Sequence, residues 1–185
     1  LVKFDSIGNR LWATYYGGEG YDGVHGIATD ASGNVYLAGE TSSLKGIASG
    51  GFQNTGSGYY DAFLVKFDAY GNRLWATYYS GTVKSGTIYV YDIGCGVTSD
   101  ALGNVYLSGI TTGTSDIATA GSFQDTSDGS YNAFLVKFDA DGNRLWATYY
   151  GGTGFDWGYS IATDASGNAY LSGMTDSPSG IASGG

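Results

Sequence analysis

The stretch "LVKFDADGNRLWATYY", Leu135 to Tyr150, decides how this chain folds. Its centre, Asp139 to Asn143, spaces two carboxylates like the start of an EF-hand calcium loop. The chain supplies its own control, because the stretch recurs. "LVKFDSIGNRLWATYY" begins at Leu1 and "LVKFDAYGNRLWATYY" at Leu64, so the copies lie 63 and 71 residues apart. A second motif follows each copy: "GIATDASGNVYLAGET" from Gly26, "GVTSDALGNVYLSGIT" from Gly96 and "SIATDASGNAYLSGMT" from Ser160. Periods of this size mark a repeat architecture.

Comparing the copies removes the EF-hand. Where this copy has Asp141, the sisters have Ile7 and Tyr70. What all six turns share is Asp-x-x-Gly-Asn: Asp5 with Gly8, Asp68 with Gly71 and Asp139 with Gly142 in one motif, Asp30 with Gly33, Asp100 with Gly103 and Asp164 with Gly167 in the other. That is hairpin chemistry. The Asp side chain accepts from backbone N–H groups two residues on, and the Gly takes the left-handed conformation at a bulge. "GGEGYDG" from Gly17 and "GGTGFDWG" from Gly151 fit the glycine-rich nonapeptide that binds calcium in parallel β-helices. Such sites need turns stacked in tandem, and here they do not adjoin. Asp22, Asp92 and Asp156 recur five residues before Ile27, Val97 and Ile161. They read as strand-entry caps, and no metal or other cofactor is expected.

Composition narrows the classes. Gly is 33 of 185 residues, Pro is one and Tyr is 17, with 42% apolar and 16% aromatic residues, which describes a turn-rich β fold and not a disordered chain. The formal charge is −9, and six of the eight basic residues are fixed members of the repeat (Lys3, Lys66, Lys137, Arg10, Arg73, Arg144). No basic patch remains for phosphates, so no nucleic-acid partner is expected. One Cys allows no internal disulfide. No apolar run is long enough for membrane insertion.

Each motif reads as two short strands about a tight turn. In the middle repeat these are Gly96–Ser99 with Val105–Thr111, then Ala133–Phe138 with Arg144–Tyr150. Four antiparallel strands per repeat, at positions A to D, make the blade of a β-propeller. "RLWATYY" is apolar at both parities, as a strand covered on both faces should be. The chain divides into a half-blade (1–16, strands C and D), a blade (17–79), a blade with an enlarged D–A loop (80–150) and a half-blade (151–185, strands A and B plus a tail). "DAFLVKFDAYGNRLWATYYSG", "GIATDASGNVYLAGET" and "GGFQNTGSGYYDAF" together resemble the bacterial β-propeller repeat known as SBBP. The resemblance covers essentially the whole chain. It implies a propeller in large secreted or surface-attached proteins, hence an extracellular or cell-surface location, and it supplies no catalytic residues. The middle repeat departs from it by a seven-residue insertion between strands D and A.

Function is expected on the rim that carries the long B–C and D–A loops, where the copies differ. Its candidates are Tyr21, His25, Tyr59, Tyr60, Tyr89, Tyr91, Tyr131, Trp157 and Tyr159. His25 and Cys95 stand at equivalent places in adjacent repeats, but no third ligand or orienting group recurs beside them, so no enzyme is expected. "GSGYYDA" (Gly56 to Ala62) and "DGSYNA" (Asp128 to Ala133) set Tyr beside Asp or Asn, which suits stacking on sugars. A non-catalytic scaffold or protein-interaction unit is the leading expectation, and a glycan-binding propeller the alternative. The end half-blades are complementary, and joined within one molecule they would make three blades, fewer than propellers have. The missing halves are therefore expected from further repeats of a parent chain or from other copies, with surface proteins or glycans as outside partners.

Overall fold

The computed structural model describes residues 1–57, 59–83, 89–127 and 131–182, and within these it is all-β. Residues 84–88 of the enlarged D–A loop, Gly58 of "GSGYYDA" and residues 128–130 of "DGSYNA" lie outside the described residues. Twelve strands follow in order: β1 (Val2–Phe4), β2 (Arg10–Ala13), β3 (Asp22–Thr29), β4 (Val35–Thr41), β5 (Asp61–Phe67), β6 (Arg73–Tyr79), β7 (Asp92–Ser99), β8 (Val105–Thr111), β9 (Asn132–Phe138), β10 (Arg144–Tyr150), β11 (Asp156–Thr163) and β12 (Ala169–Thr175). They form antiparallel sheets β1-β2, β3-β4-β5-β6, β7-β8-β9-β10 and β11-β12. Two four-stranded blades therefore lie between two half-blades.

Successive residues of a strand point to opposite faces, and both faces are covered. Trp75 and Tyr79 of β6 join Leu64, Val97, Leu107 and Phe134 in one core between the two blades. Ala76 and Tyr78 join Phe63, Val65 and Phe67 in a second core, against which Leu1 and Tyr16 pack. The strands at position A converge: β7 packs against β3 on one side and β11 on the other. They approach so closely that a Cβ on Gly26 would meet the Cys95 carbonyl at 2.7 Å.

All six turns repeat one hydrogen-bond set. In the turn from Asp68, Oδ1 accepts the N–H of Tyr70 and of Asn72, both at 2.9 Å, and Oδ2 accepts the Asn72 amide at 2.8 Å. The Gly71 N–H donates to the Asp68 carbonyl and the Asp68 N–H to the Asn72 carbonyl. The glycines take φ of 80° to 90°. The bulges, however, are not at the glycines. In the C–D hairpins the extra residue is the leucine after the arginine, so Leu74 is unpaired and 53% exposed, and Leu11 and Leu145 match it. In the A–B hairpins the extra residue is His25, Cys95 or Tyr159. That second bulge also lets strand A begin four residues earlier than Gly96, at Asp92.

The B–C connection does a job that its variable look conceals. Ser49 exchanges backbone hydrogen bonds with Ala76, and the Tyr78 N–H donates to the Gln53 carbonyl. The segment thus covers the outer edge of β6, which would otherwise be an open strand edge. In the next blade Thr119 donates to the Ala147 carbonyl and Tyr149 to the Gln124 carbonyl. Arg73 and Arg144 fix these segments, donating to the carbonyls of Gly46 and Ile47, and of Asp116 and Ile117.

Candidate interaction rim

Each strand at position A starts on an aspartate that fastens the rim. Asp22 Oδ1 accepts from Thr41 Oγ1 at 2.5 Å, and Oδ2 from the Gly18 N–H at 2.7 Å and Ser43 Oγ at 3.2 Å. Asp156 repeats the set with Thr175, Gly152 and Ser177. Asp92 binds Thr111 Oγ1 and the Gly81 N–H. One carboxylate therefore ties the D–A loop to the start of the B–C loop, as a strand-entry cap. Burial pushes the Asp92 carboxyl up to about 8; the bonds from Thr111 and Gly81 oppose this, and nearby Asp61 adds to it. The threonine partners were beyond sequence reading, since they lie nineteen residues away on the neighbouring strand.

The N–H of Asp92 donates to the Tyr60 carbonyl, and that of Asp156 to the Tyr131 carbonyl. Each bond joins the start of strand C in one blade to the start of strand A in the next. It sets the flanking aromatic rings side by side. Tyr59 meets Tyr89 at 4.6 Å, Tyr91 at 4.9 Å and Tyr60 at 5.2 Å between ring centroids. Tyr60 stacks on Tyr91 at 5.9 Å, and Tyr21 approaches Tyr60 at 6.1 Å. The Tyr59 hydroxyl beside Tyr91 pushes the Tyr91 phenol up to about 12. Five of the nine candidates thus form one cluster, with Tyr21 and Tyr89 its most exposed members.

Three others form a second group. Tyr131 stacks on Phe155 at 4.1 Å, Phe155 lies 6.3 Å from Trp157, and Trp157 lies 5.4 Å from Tyr159. Phe155 was missing from the candidates, although it precedes Asp156 as Tyr21 precedes Asp22 and Tyr91 precedes Asp92. The repeat register itself could have found it.

His25 and Cys95 part company. His25 Nε2 faces Glu40 Oε1 at 3.5 Å. Cys95 Sγ accepts the Trp157 indole N–H at 3.4 Å. Burial raises the Cys95 thiol, with the Trp157 N–H opposing and Glu40 reinforcing the shift, so it is a poor thiolate. Among the described residues no three His, Cys, Asp or Glu side chains gather as a metal site, and no helix is long and apolar enough to cross a membrane.

Two comparisons match this geometry. Over 194 aligned residues the chain is 25% identical to an uncharacterized WD repeat-containing protein of Acanthamoeba polyphaga mimivirus, an alignment covering 89% of this chain. The chain spans only 13% of that protein's length. The SBBP β-propeller repeat profile matches residues 11–44 and 145–179. Both segments run from strand D through the next A–B hairpin, and the corresponding stretch with the enlarged loop is not among them. Over residues 11–44 and 145–179 this chain is thus similar to the β-propeller repeats of the SBBP family.

Proposed function

We propose that the chain is a non-catalytic scaffold whose long-loop rim docks protein partners within a surface or extracellular assembly. One observation carries the reading: half-exposed aromatic rings gather on the rim where the copies differ, while the recurrent polar residues are spent in turns, caps and contacts between blades. Aromatic residues are the commonest anchors of protein interfaces. β-Propeller repeats and WD repeats are in general non-catalytic interaction scaffolds, which supports the absence of catalysis. The surface location rests on the resemblance of the repeat.

The test compares the chain with Tyr59→Ser/Tyr89→Ser for capture of proteins from a surface extract of the source cells. The expected result is a partner retained by the chain and lost by the variant, at an unchanged melting temperature. Identical capture by both removes the reading. A glycan reading has one specific observation behind it: Tyr89 is 53% exposed beside Tyr59 and Tyr91, an apolar face with polar edges. A glycan-array signal lost in the same variant, without any protein partner, would favour it.

A further inference from the structure

The tyrosines at the joint between the two complete blades are arranged as a corner. Tyr59 stands at 88° to Tyr60 and at 78° to Tyr91, while Tyr60 and Tyr91 lie within 14° of parallel. The rings thus present faces at right angles to one another. Tyr21 and Tyr89 stand at the margin, 56% and 53% exposed. All five rings belong to the two complete blades and to the loops that enter them. We propose that this corner holds the cationic side chains of a basic, arginine- or lysine-bearing segment of a partner protein. The inference rests on the reading of the rim as a docking surface for proteins, and it names the chemistry of what docks.

The face of an aromatic ring is electron-rich and attracts a cation placed over it. The chain itself uses this pairing. Lys66 Nζ lies 5.5 Å from the centroid of the Tyr36 ring, Lys137 Nζ 4.9 Å from that of Tyr106, and the Arg144 guanidinium carbon 4.4 Å from that of Phe52. These are the rings that carry a cation among the described residues, and none of them belongs to the corner. Its faces are therefore open to a cation from outside.

Charge is sorted along the blades to match. The six basic residues of the repeat lie in the C–D hairpins, beside the tight turns. Lys3 Nζ and Trp12 Nε1 both donate to the Ala69 carbonyl, at 3.1 and 3.0 Å. Lys66 Nζ and Trp75 Nε1 both donate to the Ala140 carbonyl, at 3.0 and 2.9 Å. A lysine and a tryptophan thus grip the C–D turn of the next blade. Lys137 pairs with Asp100 at 3.3 Å, and Arg73 and Arg144 hold the B–C segments. These bases offset the turn aspartates, so that half of the blade is close to neutral. The long loops and the strand ends beside them keep the acid. There Glu19, Asp22, Glu40, Asp61, Asp125 and Asp156 are offset by Lys45 alone among the described lysines and arginines; Lys84 lies outside the described residues. Most of the formal charge of −9 therefore belongs to the rim that carries the tyrosines. A field of one sign steers a partner of the other, and the ring faces supply the short-range attraction.

The probe is a fluorescein-labelled hexa-arginine peptide, titrated into the 185-residue chain at low ionic strength and followed by fluorescence polarisation. Hexa-citrulline, its uncharged near-isostere, is the control. Hexa-arginine should bind about ten-fold more tightly than hexa-citrulline. Tyr59→Leu/Tyr89→Leu should weaken hexa-arginine about ten-fold at unchanged circular dichroism, whereas Tyr59→Phe/Tyr89→Phe should keep it, because the ring face and not the hydroxyl holds the cation. On the unsubstituted chain the arginine δ-methylene protons should shift upfield on binding, under the ring currents. Equal binding of the two peptides, equal binding by the leucine variant, or no upfield shift would each overturn the proposal. Equal losses in the leucine and phenylalanine variants would overturn it too, assigning the site to hydroxyl hydrogen bonds such as a sugar makes. Should the leucine variant fail to fold, the ring-current shift decides alone. If hexa-arginine ignores the rings while Tyr59→Ser/Tyr89→Ser still loses a captured protein, the docking rim stands and the cation does not. If that capture is also unchanged, both fall.

Discussion

At the scale of single residues, six glycines share one conformation but not one neighbourhood. A Cβ on Gly142 would meet the Trp75 ring at 2.9 Å, and one on Gly71 the Trp12 ring at 3.0 Å, whereas one on Gly8 would meet nothing within 4 Å. In the isolated chain, where no tryptophan lies across Gly8, Gly8→Ala should therefore cost only the left-handed backbone penalty, about 1 kcal/mol. Gly142→Ala should cost that plus displacement of a buried tryptophan, roughly 3 kcal/mol in all. Equal losses in denaturant melts would show that the tryptophan contact carries nothing. Ser108 gives the opposite case. Its Oγ is buried without a partner among the described residues, where the preceding blade has Ala38. Ser108→Ala should raise stability by about 1 kcal/mol; a destabilised variant would mean that the hydroxyl is satisfied after all. The positive φ at these glycines was legible from Asp-x-x-Gly-Asn alone. The tryptophan lying across Gly142 was not, because that contact joins residues 67 positions apart in different blades.

At the scale of elements, the cap at Asp92 and the turns respond to pH in opposite directions. In the turns at Asp5, Asp68 and Asp164 the asparagine side chain, with backbone N–H groups, holds the carboxyl below its ordinary value. At Asp30, Asp100 and Asp139 partial burial pushes upward, and the combined hydrogen bonds outweigh it. A depressed folded pKa contributes stability that is present above the unfolded value, near 3.9, and lost as the pH falls through the folded value. Asp92 has the reverse sign: its stability is fullest below about 4 and declines as the pH rises toward about 8. Asp92→Asn should flatten the loss of melting temperature between pH 5 and pH 9; an unchanged slope would place the alkaline sensitivity elsewhere. Asp22 and Asp156 spend their oxygens on loop donors, so millimolar calcium or chelator should move the melting midpoint by less than about 5 °C. A larger shift would identify an ion at the caps. Strands B and D were readable to the residue from apolar runs bounded by the turns. Strand A was read short because the bulge at Cys95 breaks the alternation, and Leu145 was read as core because its own bulge turns it outward.

At the scale of the whole molecule, equivalent residues differ in burial by position along the chain. Tyr36 is completely buried and Tyr106 nearly so, while Tyr170 is 59% exposed. Amide exchange should follow this gradient. β4, β5, β8 and β9 should be protected far more strongly than β1 and β12, which lie at sheet edges among the described residues. Equal protection of β12 and β8 would show that the β12 edge is covered in solution. The blade count per chain was legible from the repeats. The covering of the outer edge by residues 46–53 was not, since an irregular backbone ladder leaves no periodic signature.

The grip between blades is one-sided. Its donors are specific side chains, Lys3 with Trp12 and Lys66 with Trp75, but its acceptors are main-chain carbonyls, those of Ala69 and Ala140. A newly duplicated unit therefore needs no co-adapted partner residue. It is accepted by its predecessor as soon as it folds the turn, and it brings its own donors for whatever follows. Such a junction lets copies be gained, lost or exchanged during evolution while selection holds the donor side chains and the glycine of the turn, leaving the side chain of the accepting residue free to drift.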